Sequence, residues 1–115
     1  MVKEENSVIH ELKIHSKFFP QVVSLDKRFE VRKNDRNFHE GDFLALNEID
    51  ENGAYTGQSV LVRVTYILND SFYCKDNMVI MSIEPCGVRD EGKRDVFMGG
   101  EMKMQVLNRT RIGGE

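Results

Sequence analysis

The chain lacks most of the features that identify a protein at sight. It has only two cysteines and two prolines in 115 residues. Cys74 and Cys86 stand apart, with no partner at a zinc-ligand spacing and no secretion signal, so they read as reduced thiols rather than a disulfide or metal pair. No metal and no cofactor are expected. No apolar run approaches the ~18 residues that cross a bilayer. The opening MVKEENSVIHEL has neither the continuous apolar stretch nor the cleavage pattern of a signal peptide. The expectation is a cytoplasmic protein with no membrane partner. Bulk positive charge is also missing. A net charge of -3 and a pI near 5.6 exclude a protein that coats duplex DNA through charge alone, so any nucleic-acid contact has to come from a local basic patch. There is no glycine-rich phosphate loop, no GxSxG, no internal repeat and no low-complexity segment.

What is present is the material of one globular domain. With 40% hydrophobic and 30% charged residues, the chain can bury a single core without disulfide or metal support. Residues 1–7 are polar and are expected to fray. Residues 8–15 alternate, with Val8, His10, Leu12 and Ile14 on one face and Ile9, Glu11, Lys13 and His15 on the other, which predicts a half-buried strand. Residues 16–26 carry a helical stripe of Phe18, Phe19, Val22, Val23 and Leu25, with Ser16 as a candidate cap. Pro20 suits the start of the regular helix rather than its interior. The helix should end near Asp26.

Residues 28–33 return to period two. Here Phe29 and Val31 are expected to face the core, with Arg28, Glu30 and Arg32 opposite. Asn34-Asp35-Arg36-Asn37 is turn chemistry, Phe38 should anchor its loop in the core, and Gly41-Asp42 marks a second turn. Residues 43–49 read as a strand, and Asn52-Gly53 as a hairpin turn. The strand over 59–68 should place Val60, Val62, Val64, Tyr66 and Leu68 on one face. Phe72 and Tyr73 fall in a loop. Residues 78–83 suit a buried strand that stops at Glu84-Pro85. Beyond that, 87–100 reads as an exposed loop, and 101–108 (EMKMQVLN) as a last strand or a short helix. The division is a domain over 8–85 and a C-terminal extension over 86–115. The class is α+β: a curved, mainly antiparallel barrel-like sheet closed by one or two short helices.

The chemistry lies in residues 27–42 (KRFEVRKNDRNFHEGD), whose first ten positions hold seven charged side chains. Strand 8–15 offers Glu11, Lys13 and His15, and strand 28–33 offers Arg28, Glu30 and Arg32, with Lys27 at its entry. One arrangement is a solvated outer face whose ion pairs are worth under about 1 kcal/mol each. The other is a concave pocket. There Lys13, Lys27 and Arg32 hold a phosphate or a base edge, and Glu30 accepts from an exocyclic amine or acts as a general base, with Asp35 and Arg36 extending the site. His10, His15 and His39 form no ligand set. Among the aromatics, Phe72 and Tyr73 are the candidates for an exposed stacking surface.

HELKIHSKFF, VVSLDKRFEVRKNDRNFHEGDFLALNE, YTG and VTYIL together resemble an uncharacterised family of the DUF3850 type, common in phage and bacterial genomes, within the ASCH/PUA-like superfamily. The resemblance covers residues 10–83, and its FEVRKNDR and GD signature is its most specific part. It implies a PUA-like barrel with a cleft near the first strand, the helix and the signature loop. It also implies a link to RNA, a nucleotide or a modified nucleoside. One small relative type hydrolyses acetylated cytidine with a lysine and a threonine in the strand equivalent to KRFEVR, plus a downstream glutamate. Lys27 matches that lysine and Arg32 the closing arginine, but Glu30 stands where the threonine belongs. Glu84 is a downstream glutamate with no fixed place in the pattern. A carboxylate cannot replace a hydroxyl nucleophile without a change of mechanism, so the resemblance favours binding. The alternatives are an amidohydrolase using Lys27 and Glu30 as an acid/base pair, and a protein-interaction module that meets its partner through the 86–115 extension.

Overall fold

In a computed structural model the sheet is one curled half-barrel, with very little helix. Residues 7–90, 96–97 and 112–113 are described. In chain order the elements are β1 (Ile9–His15), α1 (Phe19–Val23), β2 (Phe29–Lys33), β3 (Phe43–Ile49), β4 (Tyr55–Leu68), β5 (Met78–Asp90), β6 (Val96–Phe97) and β7 (Ile112–Gly113). The strands lie in the order β2-β5-β4-β3-β1-β7, with β6 on β5. β1 pairs with β3 in parallel, while β3–β4, β4–β5 and β2–β5 are antiparallel.

The alternation predicted for β1 and β3 holds because one face of each packs on the same core. Leu12, Ile14, Leu44 and Leu46 join Val60, Val62, Val64, Val79, Met81 and Ile83 inside the curl. Helix α1 seals the core with Phe19 and Val22. The helix is shorter than its apolar stripe suggests. It has five residues, Ser16 does not cap it, and Leu25 lies in the left-handed region at φ 74°. With so few turns only Phe19 and Val22 are fully buried, Val23 packs partly against the core, and Phe18 and Leu25 remain exposed. A small second cluster of Ile9, Phe43, Leu61 and Cys86 packs on the opposite face of the sheet. Both cysteines are buried.

Two predicted strand features are corrected by bulges. In β4, Val64 pairs with Ile83 and Tyr66 with Ser82, so Thr65 is an extra residue in the ladder. An extra residue reverses the parity that follows. Tyr66 therefore turns outward, and Ile67 takes the inward position beside the core. Strand β5 does not stop at Glu84-Pro85. Val62 pairs with Pro85 and Leu61 with Gly87, leaving Cys86 as the bulged residue. Pro85 also falls where β5 has no second neighbour among the described residues, since β2 reaches only Ser82 and β6 begins opposite Gly87. A proline is tolerated at such a position because no ladder bond is lost there. Residues 87–90 are thus strand, not loop. The strand or helix expected over 101–108 lies outside the described residues, as does most of the 86–115 extension. Among the described residues no helix is long and apolar enough to cross a membrane.

Candidate functional site

The site follows from how the two ends of the half-barrel meet. Phe43 donates its N–H to the Val8 carbonyl, and Ser16 donates to that of Ile49. Even-numbered residues of β1 therefore face β3, so the carbonyls of Glu11 and Lys13 project from the other edge. On β2, Ile83 donates to the Arg28 carbonyl and Asn34 to that of Asn77. Even residues there face β5, and Phe29, Val31 and Lys33 present their backbone to the free edge. These two edges do not pair as strands. Arginines span the gap instead: Arg32 Nη2 donates to the Lys13 carbonyl at 2.7 Å, and Arg36 Nη1 to the Glu11 carbonyl at 3.0 Å.

Between these edges lies a cleft of about 410 Å³, which Lys13, His15, Phe18, Lys27, Phe29 and Glu30 help to line, with Val31 and Arg32 alongside. Here the predicted faces of β2 are reversed. Glu30 is only 4% exposed, while Phe29 and Val31 are 46% and 47% exposed. The register explains why. Glu30 pairs with buried Met81 and Arg32 with buried Val79, whereas Phe29 pairs with exposed Ser82. A carboxylate is tolerated inside only when its charge is matched and its oxygens are bonded. Glu30 meets both conditions: Arg32 Nε donates to Oε1 at 3.0 Å, and Lys27 Nζ donates to Oε2 at 3.1 Å.

Lys27 is held by more than Glu30. Its ammonium also donates to the Phe29 carbonyl at 2.7 Å, and it stands 4.8 Å from the Phe29 ring centre and 5.5 Å from that of Phe18. Both separations suit cation–π attraction. The cleft thus has apolar, partly exposed rings at its mouth and a charged triad at its floor. Glu30 has roughly four acceptor positions, of which the two cations occupy two, so it can still accept from a guest.

The proposed site residues divide into two groups. Lys27, Glu30 and Arg32 converge on the cleft. Lys13 shares its lining, but its ammonium lies 5.8 Å from the Tyr55 ring, toward a neighbouring groove. Arg36 joins the edges through Glu11 and does not line the cleft, and Asp35 is exposed in the turn beyond β2. Glu84 is on the outer surface, 3.7 Å from Arg63. Phe72 and Tyr73 are strongly exposed and edge-to-face with each other, and they line neither cavity.

Sequence reasoning missed His15 and Phe18 as cleft residues. His15 Nδ1 accepts from the Lys17 N–H at 3.1 Å, which leaves Nε2 as the donor nitrogen of the neutral ring. The shared face of Lys13 and His15 was a usable signal for it; the outward turn of Phe18 had none.

A second polar pair is buried elsewhere. Asp42 Oδ2 accepts from His10 Nε2 at 2.8 Å and from the His39 N–H at 3.0 Å, and His10 packs edge-on against Phe38. This pair fixes the loop before β3 to β1. Among the described residues no three His, Cys, Asp or Glu side chains are grouped so as to hold a metal ion.

Comparison with known proteins places this architecture in a lineage. An uncharacterized 12.9 kDa protein in the GpA 3' region of Escherichia phage P2 is 40% identical over 75 residues, which is 65% of this chain and 68% of that protein. A family model described as Domain of unknown function (DUF3850) matches residues 9–83, a span that contains every residue of the cleft. The chain therefore belongs to the DUF3850 family.

Proposed function

We propose that this protein binds RNA or a nucleotide, including a modified nucleoside, through the cleft between β1, α1 and β2. The observation that carries the reading is Glu30: a buried carboxylate, held by Lys27 and Arg32, at the floor of a cleft whose mouth is formed by aromatic rings. Concave apolar walls with a few convergent polar groups are the usual anatomy of a small-ligand site. Glu30 suits the amino or ring N–H edge of a base, Phe18 and Phe29 suit its faces, and the remaining donors of Lys27 and Arg32 suit its carbonyls or a phosphate. The resemblance to the ASCH/PUA-like superfamily points the same way.

A panel of nucleosides and nucleotides titrated by calorimetry tests this. Glu30→Gln keeps the shape of the side chain but turns one acceptor oxygen into a donor. A ligand that donates to Glu30 should bind the variant about 10- to 100-fold more weakly, the range expected for a hydrogen bond to a charged group. Equal affinity in the two proteins, or no binding anywhere in the panel, would refute the reading. A hydrolytic alternative rests on the direct Lys27–Glu30 contact, which suits an acid/base pair acting on an acylated nucleoside through water. Among the described residues no Ser, Thr or Cys lines the cleft, so no side-chain hydroxyl or thiol nucleophile stands beside that pair. Turnover that disappears in Glu30→Gln would favour hydrolysis over binding alone.

A further inference from the structure

On the outer face of the sheet, next to the cleft, is a second groove of about 570 Å³, lined by Glu11, Asn47, Tyr55, Gln58, Ser59 and Arg89 among others. It is produced by a local irregularity in the β3–β4 hairpin. Asn47 pairs with Ser59 but Ile49 with Tyr55, so on the β3 side residues 56–58 stand opposite Glu48 alone. The widened segment is held in place: Thr56 Oγ1 donates to buried Glu48 Oε1 at 2.7 Å, and Gly57 takes φ 93°, which a side chain would resist. Bulges of this kind re-aim side chains and are over-represented beside binding sites.

Three features of the groove point to a ligand. Tyr55 is 62% exposed, a large ring left in solvent. Lys13 Nζ stands 5.8 Å from its centre, and among the described residues no carboxylate lies within ion-pair distance of that ammonium. Glu11, by contrast, is already held, accepting from Asn47 Nδ2 at 2.9 Å. The groove therefore presents a solvent-exposed ring with the Lys13 ammonium beside it, and the one carboxylate on β1, Glu11, turns an oxygen to Asn47. This combination suits a stacked base and its phosphate.

Lys13 connects the two sites. Its backbone carbonyl receives Arg32 at the edge of the cleft, while its side chain reaches Tyr55 in the groove. We infer that the groove is a second nucleotide subsite, so that the protein takes a single-stranded oligonucleotide running from the cleft, past Lys13, onto Tyr55. The inference rests on the reading of the cleft given above and specifies its ligand as an oligonucleotide rather than a free nucleoside.

Fluorescence anisotropy with mixed-sequence single-stranded RNA hexamers, alongside calorimetry with mononucleosides, separates the two readings. Tyr55→Ala should weaken hexamer binding about 5- to 100-fold, the range of base–aromatic stacking, and leave mononucleoside binding unchanged. Tyr55→Phe should restore the hexamer affinity. Lys13→Gln should lower the slope of log affinity against log salt by about 1 for the hexamer. Hexamer affinity that is indifferent to Tyr55→Ala yet falls in Glu30→Gln would overturn the second subsite and leave the cleft reading standing. Capture of an acidic peptide on Tyr55 in place of RNA would overturn the inference. Since Tyr55 is exposed at the start of β4, circular dichroism of Tyr55→Ala should match the parent protein, so any loss of binding is read on folded material.

Discussion

Removing the Arg32 guanidinium should destabilise the protein by about 2–3 kcal/mol, and much of that loss should disappear when Glu30 is absent as well. Arg32 makes two bonds: one to Glu30, and one to the Lys13 carbonyl across the opening of the half-barrel. Breaking one side of a fully buried ion pair costs roughly 3–5 kcal/mol. Here the cost is smaller. Lys27 still holds the second oxygen of Glu30, and the Arg32 side chain keeps 23% of its exposure, so water can reach the vacated position. About 1–2 kcal/mol is a reasonable share for the pair, with about 1 kcal/mol more for the donor lost from Lys13. In Glu30→Ala/Arg32→Ala the pair is lost once rather than twice. The double variant should therefore fall short of the summed singles by about 1–2 kcal/mol. Urea unfolding of the four proteins, compared at constant m, measures this. Additivity within about 0.5 kcal/mol would show that Glu30 and Arg32 are not energetically coupled. An Arg32→Ala midpoint equal to that of the parent would show that the guanidinium does not hold the two sheet edges together.

Two further substitutions test other parts of the fold. Asp42→Ala leaves the buried His10 ring and the His39 N–H without their shared acceptor, and should cost about 2–3 kcal/mol in the same assay. Gly53→Ala adds a methyl group with nothing within 4 Å of it, so no clash contributes; the loss of about 1 kcal/mol should come entirely from holding a non-glycine residue at φ 84°.

The distribution of correct and incorrect expectations has a physical pattern. Alternation located β1 and β3 because Leu12, Ile14, Leu44 and Leu46 share one face on the main core, although Ile9 and Phe43 are buried in a second cluster behind it. The Asn52-Gly53 turn was legible because positive φ at Gly53 is a local requirement, and Asp50 accepts from the Asn52 and Ala54 N–H groups to close it. Tyr66 was misplaced because a single bulge at Thr65 changes parity without leaving a mark in composition. Strand β5 was cut short at Pro85 because its tolerance there depends on which edges happen to be occupied. The length of α1 was overestimated since an apolar stripe shows what can be buried, not how much core is available to bury it.

Sequence by itself determined the class of the domain and the family, and it singled out residues 27–42 as a charge-dense stretch. Period two also showed that Phe29 and Val31 lie on one face of β2, with Glu30 and Arg32 on the other. Which face points into the curl was decided only by tertiary structure. Alternation distinguishes two faces, but the usual rule that the apolar face goes inward assumes an apolar interior on that side. At this end of the half-barrel the interior is a cleft, with Lys27 and Arg32 positioned to neutralise a carboxylate and two strand edges that do not pair. Under those conditions Glu30 is the residue that goes in.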